Sequence, residues 1–137
     1  MNVLYILDAC AVIALLKDEE GAEAVAVAYE KASAGQALIA INRINLLEVY
    51  YGFYRDKGAE YANNIMNWLK RSIITINDMT DDVFLAAGRL KATYRISLAD
   101  SIALAEALVS GGILLTADHH EFDIINGKEN INFEWIK

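Results

Sequence analysis

Proline is absent from the 137 residues of the chain, although proteins contain about 5% proline on average. No proline-rich or low-complexity stretch marks a linker, and no internal repeat is visible. The length is sufficient for one domain with a hydrophobic core and short for two. We therefore expect residues 1–137 to form a single domain.

Cysteine and long apolar runs are also scarce. The one cysteine, Cys10, cannot form an internal disulfide, which agrees with a reducing compartment. No apolar run approaches the roughly 20 residues that a membrane-spanning helix needs, and the start of the chain lacks a signal-type pattern. These absences predict a cytoplasmic protein that has no membrane partner.

Basic residues are outnumbered, with 12 Lys and Arg against 19 Asp and Glu and a formal net charge of −7. This balance excludes a broad basic surface for non-specific binding of nucleic acid. It does not exclude an enzyme that meets phosphates through metal ions, because the acids that hold the metals add to the negative charge.

Short apolar runs alternate along the chain with longer helical patterns. The runs predict strands at residues 3–7, 37–41, 73–76 and 113–116, with a fifth edge strand at 132–136. Helices are predicted at about residues 11–17, 18–33, 44–55, 59–70, 80–94 and 98–109. Because parallel strands need crossover connections, this alternation predicts an α/β fold with a parallel sheet covered on both faces.

Asp8 interrupts the apolar start of the chain, directly after the first predicted strand. A carboxylate buried there loses hydration and needs hydrogen bonds, a counter-charge or a metal. Asp118 follows the fourth strand in the same way, and Asp100 lies in the first turn of the helix that leads into that strand. Glu48 lies one turn inside the helix that leaves the second strand. In a parallel α/β sheet all four belong to the carboxyl edge.

Glu48 adds a second clue, because one stripe of its helix is expected to face the core and to include this acid. The stripe consists of Ile44, Leu47, Glu48 and Tyr51. Two like charges 4 Å apart repel by roughly 4 kcal/mol at an effective dielectric of 20, so four acids together need neutralisation. Magnesium or manganese fits best, since both prefer oxygen ligands and the sequence has no Cys/His metal spacing.

Three of the four acids, each taken alone, have a structural explanation as well. Asp8 can cap the following helix, Asp118 can occupy a turn, and Asp100 can favour the positive end of its helix. Glu48 is harder to explain structurally. Convergence of all four at one edge is what favours a functional site.

Four segments together resemble a known family: YILDACAVIALL, INLLEVYYGF, ISLADSIALAEAL and LLTADHHEF. Over its whole length the chain resembles a PIN-domain ribonuclease, and at this size it is similar to the VapC-type toxins of toxin-antitoxin pairs. The resemblance implies a PIN-like three-layer α/β/α sandwich with a mostly parallel sheet of four to five strands. It also implies cleavage of RNA phosphodiester bonds at an acidic Mg²⁺ or Mn²⁺ site, an antitoxin partner and a homodimer.

On this hypothesis, Asp8 and Asp100 are the principal metal ligands, Asp118 completes the metal site and Glu48 orients the attacking water. The chain departs from the family pattern at two positions: Asn45 stands where Ser or Thr is common, and His120 stands where a further Asp is common. The departure at His120 puts a second metal in doubt.

Two other functions compete with this hypothesis. A catalytically silent PIN-fold module would keep the fold and bind RNA or a partner. A receiver-type signalling domain also gathers acids around magnesium, but it has adjacent acids after the first strand and a late Lys, and neither is present beside Asp8 or Asp118.

Several residues near the motifs have open roles. Thr116 is interpreted as a β-former that could donate to Asp118 or to phosphate, and His119 and His120 as exposed loop residues. The aromatic run at residues 50–54 is expected to serve core packing, a homodimer contact or an antitoxin groove rather than base stacking. Basic residues near Arg55 or Arg95 could guide RNA.

Overall fold

A computed structural model describes residues 2–137. Its strands are β1 (Val3–Leu7), β2 (Ala37–Asn42), β3 (Thr75–Asn77), β4 (Ile113–Thr116) and β5 (Asn132–Trp135). Its helices are α1 (Ala9–Lys17), α2 (Ala22–Ser33), α3 (Arg43–Lys57), α4 (Ala59–Arg71), α5 (Asp81–Thr93), α6 (Leu98–Ser110) and α7 (His119–Phe122).

The five strands form one sheet in the order β3-β2-β1-β4-β5, and every neighbouring pair is parallel. The predicted α/β class is confirmed, with a sheet that is entirely rather than mostly parallel. Because all strands run the same way, their carboxyl ends lie at one edge. β1 is central, so its end is flanked by the ends of β2 and β4.

Helices cover both faces of the sheet, as the three-layer prediction requires. Tyr5 and Leu7 of β1 belong to a buried cluster with residues of α1, α2, α3 and α4. Ile6, which points the opposite way, belongs to a second cluster with residues of α5 and α6. This alternation along β1 is the side-chain period of a strand that is buried on both faces.

The boundaries of the predicted elements agree with the prediction to within two residues, except at α2, which begins at Ala22 rather than residue 18 because Asp18 adopts the left-handed conformation that ends α1. α1 begins at Ala9 rather than residue 11, because the Asp8 side chain caps it directly after β1. β3 spans residues 75–77 rather than 73–76, although Ile74 is buried. His119 and His120, predicted in a loop, lie in the short helix α7.

The predicted inward stripe of α3 is wrong. Leu47 and Tyr51 are 52% and 42% exposed. The buried residues of the helix are instead Asn45, Leu46, Val49 and Phe53. Because apolar side chains occur on almost every side of α3, their spacing alone could not determine which side faces the sheet. Glu48 is half-buried, at the border between the two faces.

Within residues 2–137, no helix is both long enough and apolar enough to cross a membrane.

Gly21, which precedes α2, has a positive φ of 96°, and an added Cβ would lie 2.9 Å from Ile136 Cγ1. We expect Gly21→Ala to lower the free energy of unfolding by about 1–3 kcal/mol through strain and overpacking, measured by urea denaturation. Gly52→Ala is the control, because Gly52 lies within α3 and an added Cβ would meet no atom of another element within 4 Å. It should instead raise stability by about 0.5–1 kcal/mol. Equal effects of the two substitutions would contradict this explanation.

Candidate metal centre

Asp8 lies at the end of β1 and is 4% exposed. Its Oδ1 accepts hydrogen bonds from the Ala11 backbone N at 2.9 Å and from Cys10 Sγ at 3.0 Å. Its Oδ2 accepts from Thr116 Oγ1 at 2.5 Å. Asp8 therefore caps helix α1, as the structural explanation holds. Its Oδ2 accepts one hydrogen bond only, so one lone pair of this oxygen remains free.

Thr116 connects Asp8 to Asp118 from the end of the neighbouring strand β4. Its buried hydroxyl donates to Asp8 Oδ2, and it accepts from the Asp118 backbone N at 3.0 Å. Donation to Asp118, one of the open roles of Thr116, is therefore not observed, because the hydroxyl donates to Asp8 instead. The Asp118 side chain itself accepts from the Glu121 backbone N at 3.1 Å and caps α7.

Glu48 and Asp100 approach the same place from α3 and α6. Burial is the main cause that raises the pKa of Glu48, and the charge of Asp8 raises it further. A hydrogen bond from the Asn45 side chain opposes this rise. Burial, followed by the charge of Asp118, raises the pKa of Asp100 to about 7. Both acids thus lose hydration in a negative field, which disfavours their ionised forms.

All four predicted acids line one cavity of about 190 Å³ at the carboxyl edge of the sheet. The lining residues are Asp8, Ala9, Cys10, Glu48, Ser97, Asp100 and Asp118. The four acids come from separate parts of the chain, as the sheet topology predicts. Their convergence is a property of the structure, whereas their individual roles stay predictions.

Besides the four acids, Ala9, Cys10 and Ser97 line the cavity, and none of them was expected to belong to the site. Burial raises the pKa of the Cys10 thiol to about 12, so the thiol stays protonated and donates to Asp8. Ser97 caps α6 by accepting from the Asp100 backbone N at 3.1 Å. A serine three residues before an acid is a helix-start signal, and this pattern could have identified Ser97 in the sequence.

The charge around the cavity is not balanced by the protein. In the described part of the chain, the ion pairs are Lys17–Asp56, Arg43–Asp78, Arg89–Glu129 and His119–Asp123, and none includes a cavity acid. Burial is the main cause that raises the pKa of Asp8, and the charge of Asp118 adds to it. A divalent cation with a preference for oxygen ligands suits this donor set.

The carboxylates surround the cavity without closing on one point. Within residues 2–137, no group of three or more His, Cys, Asp and Glu side chains is placed to hold a metal ion. The site therefore fits a hard cation by its chemistry and its uncompensated charge, and not by its present ligand distances.

The histidines lie outside this cavity. His119 forms hydrogen bonds of 2.9 Å with Asp123 Oδ1 and with the Lys137 carbonyl oxygen, and it stacks on Trp135 at 4.1 Å. His120 is exposed, as expected. Neither residue lines the cavity, so the structure gives no support for a histidine ligand.

The aromatic run on α3 divides into core and surface residues. Phe53 is buried, which confirms core packing at that position. Tyr50 donates to Asn63 Oδ1 at 2.9 Å, and Arg55 lies 5.0 Å from the centre of the Tyr51 ring. Tyr54 packs edge-on against Tyr50 and is 49% exposed.

Comparison with known proteins places the chain in a family. The model of the PIN domain matches residues 5–128, so the chain belongs to the PIN-domain family. No curated protein sequence matches it.

Three solved structures share its fold. VapBC2 from Rickettsia felis, bound to a promoter DNA fragment, is 22% identical with a TM-score of 0.75, covering 97% of this chain and 98% of that one. DNA-bound VapBC from Salmonella typhimurium is 18% identical with a TM-score of 0.74, covering 98% and 99%. VapBC-1 from nontypeable Haemophilus influenzae is 18% identical with a TM-score of 0.73, covering 98% of each chain.

The raised pKa of Asp100 predicts a pH-dependent cost to stability. The pKa of Asp100 is about 7 in the folded protein and 3.8 ordinarily, so ionisation of this group opposes folding. The cost to stability begins near pH 3.8, increases with pH and is complete above pH 7. In EDTA at pH 8, Asp100→Asn should therefore raise the free energy of unfolding by roughly 1–2 kcal/mol, a figure reduced for the solvent screening of this partly buried group. At pH 4 it should bring little gain.

Urea denaturation at both pH values measures the difference. Asp82→Asn is the matched control, because Asp82 is an exposed acid in the first turn of α5. Its substitution should lower stability at pH 8 by about 0.3–1 kcal/mol through loss of the helix-dipole interaction. A gain from Asp100→Asn that is equal at pH 4 and pH 8 would refute the predicted linkage.

Proposed function

We propose that this PIN-domain protein is a metal-dependent endoribonuclease that acts in the cytoplasm as the toxin of a VapBC-type pair. The observation that carries the proposal is the cavity in which four carboxylates from four parts of the fold meet without a basic partner. Membership of the PIN family and the fold shared with VapBC complexes support it further.

Asp8, Asp100 and Asp118 are the side chains that would hold Mg²⁺ or Mn²⁺. When bound, the ion supplies positive charge to the scissile phosphate and lowers the pKa of water. Asp8 contributes a preset ligand, because the hydrogen bonds from Ala11 and Thr116 fix both of its oxygens. A ligand held in this way needs little reorganisation during the reaction.

Glu48 has a different role in this proposal. It lies on α3, apart from the strand ends that bear Asp8 and Asp118, and its pKa is raised by burial and by its acidic neighbours. A carboxylate oxygen can hold a water molecule by accepting a hydrogen bond from its O–H. We therefore assign Glu48 to orient the attacking water through a hydrogen bond to its carboxylate.

RNA is the proposed substrate, although the protein is acidic overall. Neutralisation of the cavity acids removes the repulsion at the point where the phosphate must approach. Arg55, which lies beside the exposed Tyr51 ring, offers a cation that can guide the RNA backbone. Charge reversal at Arg55 should then change the salt dependence of RNA affinity.

An antitoxin and a second copy of the chain are the proposed protein partners. Two apolar grooves offer surface that such partners could cover. The larger, about 710 Å³, lies along α5 and α6, where Phe84, Leu85 and Leu98 are 63–67% exposed. The smaller, about 310 Å³, lies between α1, α2 and α4 and is lined by Tyr29 and Trp68 among others. Light scattering of the isolated chain tests the homodimer.

The alternative proposal, a catalytically silent PIN-fold module, is favoured by one observation. The carboxylates line the cavity without three of them being placed to hold an ion, within the described residues. Such a protein would bind its partner through the same surfaces and would cleave nothing.

Substitution of Asp8 separates the two proposals. Asn at position 8 keeps an oxygen that can accept from Ala11 N, so α1 stays capped, but it removes the charge that a metal needs. We expect Asp8→Asn to lower the rate of RNA cleavage at least about 100-fold, as does EDTA, while the variant still unfolds in one cooperative thermal transition. Cleavage is measured on a labelled RNA with Mg²⁺ or Mn²⁺ added.

Asp123→Asn is the control, because Asp123 lies one residue beyond α7 and does not line the cavity. It should cleave like the wild type. Full activity in EDTA would refute the metal-dependent mechanism, and inactivity of the wild-type protein on all RNA tested would favour the silent module.

A further inference from the structure

Glu106, on α6, is a buried acid outside the cavity. It is 6% exposed, and its carboxylate accepts from Asn42 Nδ2 at 2.7 Å and from Asn77 Nδ2 at 3.5 Å. Among the described residues no cation pairs with it. A buried carboxylate costs free energy that an apolar side chain would not, so its contacts indicate a specific task.

The Asn42 amide shows what this task is. Asn42 is 1% exposed, ends β2 and caps α3, with its Oδ1 accepting from the Ile44 backbone N at 2.9 Å. Its Nδ2 is left for Glu106. Because Glu106 accepts the hydrogen bond from Nδ2, the amide is held in the orientation that turns Oδ1 towards the first turn of α3.

A second polar contact joins the same two helices. Asn45, on the first turn of α3, donates from Nδ2 to the Ala99 carbonyl oxygen on α6 at 2.9 Å. Glu48 follows Asn45 by one turn, and Asp100 follows Ala99 directly. The contacts Asn42–Glu106 and Asn45–Ala99, which we call the α3–α6 clamp, thus connect the two helices that bear Glu48 and Asp100.

We propose that Glu106 is a positioning residue of the candidate metal centre, which holds the first turn of α3 through Asn42 and thereby sets the separation of Glu48 and Asp100. The inference rests on the proposed function, since the centre matters only if the cavity binds a metal. Glu106 touches neither the cavity nor the substrate, and its effect passes entirely through α3.

Removal of the carboxylate tests this role. Glu106→Ala leaves Asn42 Nδ2 buried without an acceptor, so the amide and the first turn of α3 should shift. We expect the dissociation constant for Mn²⁺, measured by electron paramagnetic resonance of free Mn²⁺, to rise about 10-fold. Glu106→Gln keeps an oxygen that can accept from Asn42, so its Mn²⁺ affinity should stay within about 2-fold of the wild type.

Two further variants separate positioning from stability. Leu90→Ala removes a fully buried side chain from α5, a helix that bears none of the four acids. It should lower the midpoint of thermal unfolding and leave Mn²⁺ affinity unchanged. Asn42→Ser keeps a helix cap and breaks the contact with Glu106, so it should weaken Mn²⁺ binding as Glu106→Ala does, and the double variant should be no worse.

Each result has a defined meaning. Wild-type affinity in both Glu106→Ala and Asn42→Ser would overturn the inference, as would an equal loss in Leu90→Ala. Asp100→Asn shows whether the Mn²⁺ signal comes from the cavity. If the wild type binds no Mn²⁺, the proposed function fails by itself, and crystal structures then decide the positioning role. An unchanged separation of Glu48 and Asp100 in Asn42→Ser would overturn it, and an altered separation would support it.

Discussion

The parallel order of the sheet is the constraint on which the site depends. β1 lies between β2 and β4, and all three end at the same edge. Asp8 follows β1, Asp118 follows β4, and Glu48 lies on the helix that leaves β2. Separation along the sequence is thereby converted into proximity, and the hydrogen bond from Thr116 to Asp8 connects two of the strand ends directly.

Placing these carboxylates close together costs electrostatic free energy, and the fold offsets this cost only in part. Backbone and hydroxyl donors hold Asp8, and helix-capping contacts involve Asp100 and Asp118. The donors to Asp8 and Asp118 orient those two carboxylates but do not cancel their charge, and burial raises the pKa of Asp8, Glu48 and Asp100. A protein that gained stability from this region would place a Lys or Arg there. The arrangement instead favours an external cation.

Much of this could be predicted from the sequence, because strand runs, helix boundaries and the carboxyl-edge rule are local or topological signals. The positions of Asp8 and Asp118 next to strands, and of Asp100 at a helix start, are visible in the sequence. The direction of α3 could not be predicted in the same way, since its apolar residues lie on every side and the true inward face includes Asn45. The roles of Thr116 and Glu106 depend on contacts between residues 108 and 64 positions apart, which no local pattern reveals.

The exposed apolar groove along α5 and α6 has a consequence for how the protein is produced. The α5/α6 side leaves Phe84, Leu85 and Leu98 mostly in water, around a groove of about 710 Å³. An apolar patch of this kind adheres to other exposed apolar surfaces. If the chain is produced in excess of the partner that covers this patch, it should aggregate. Its expression level is therefore limited by this exposed surface, independently of any catalysis.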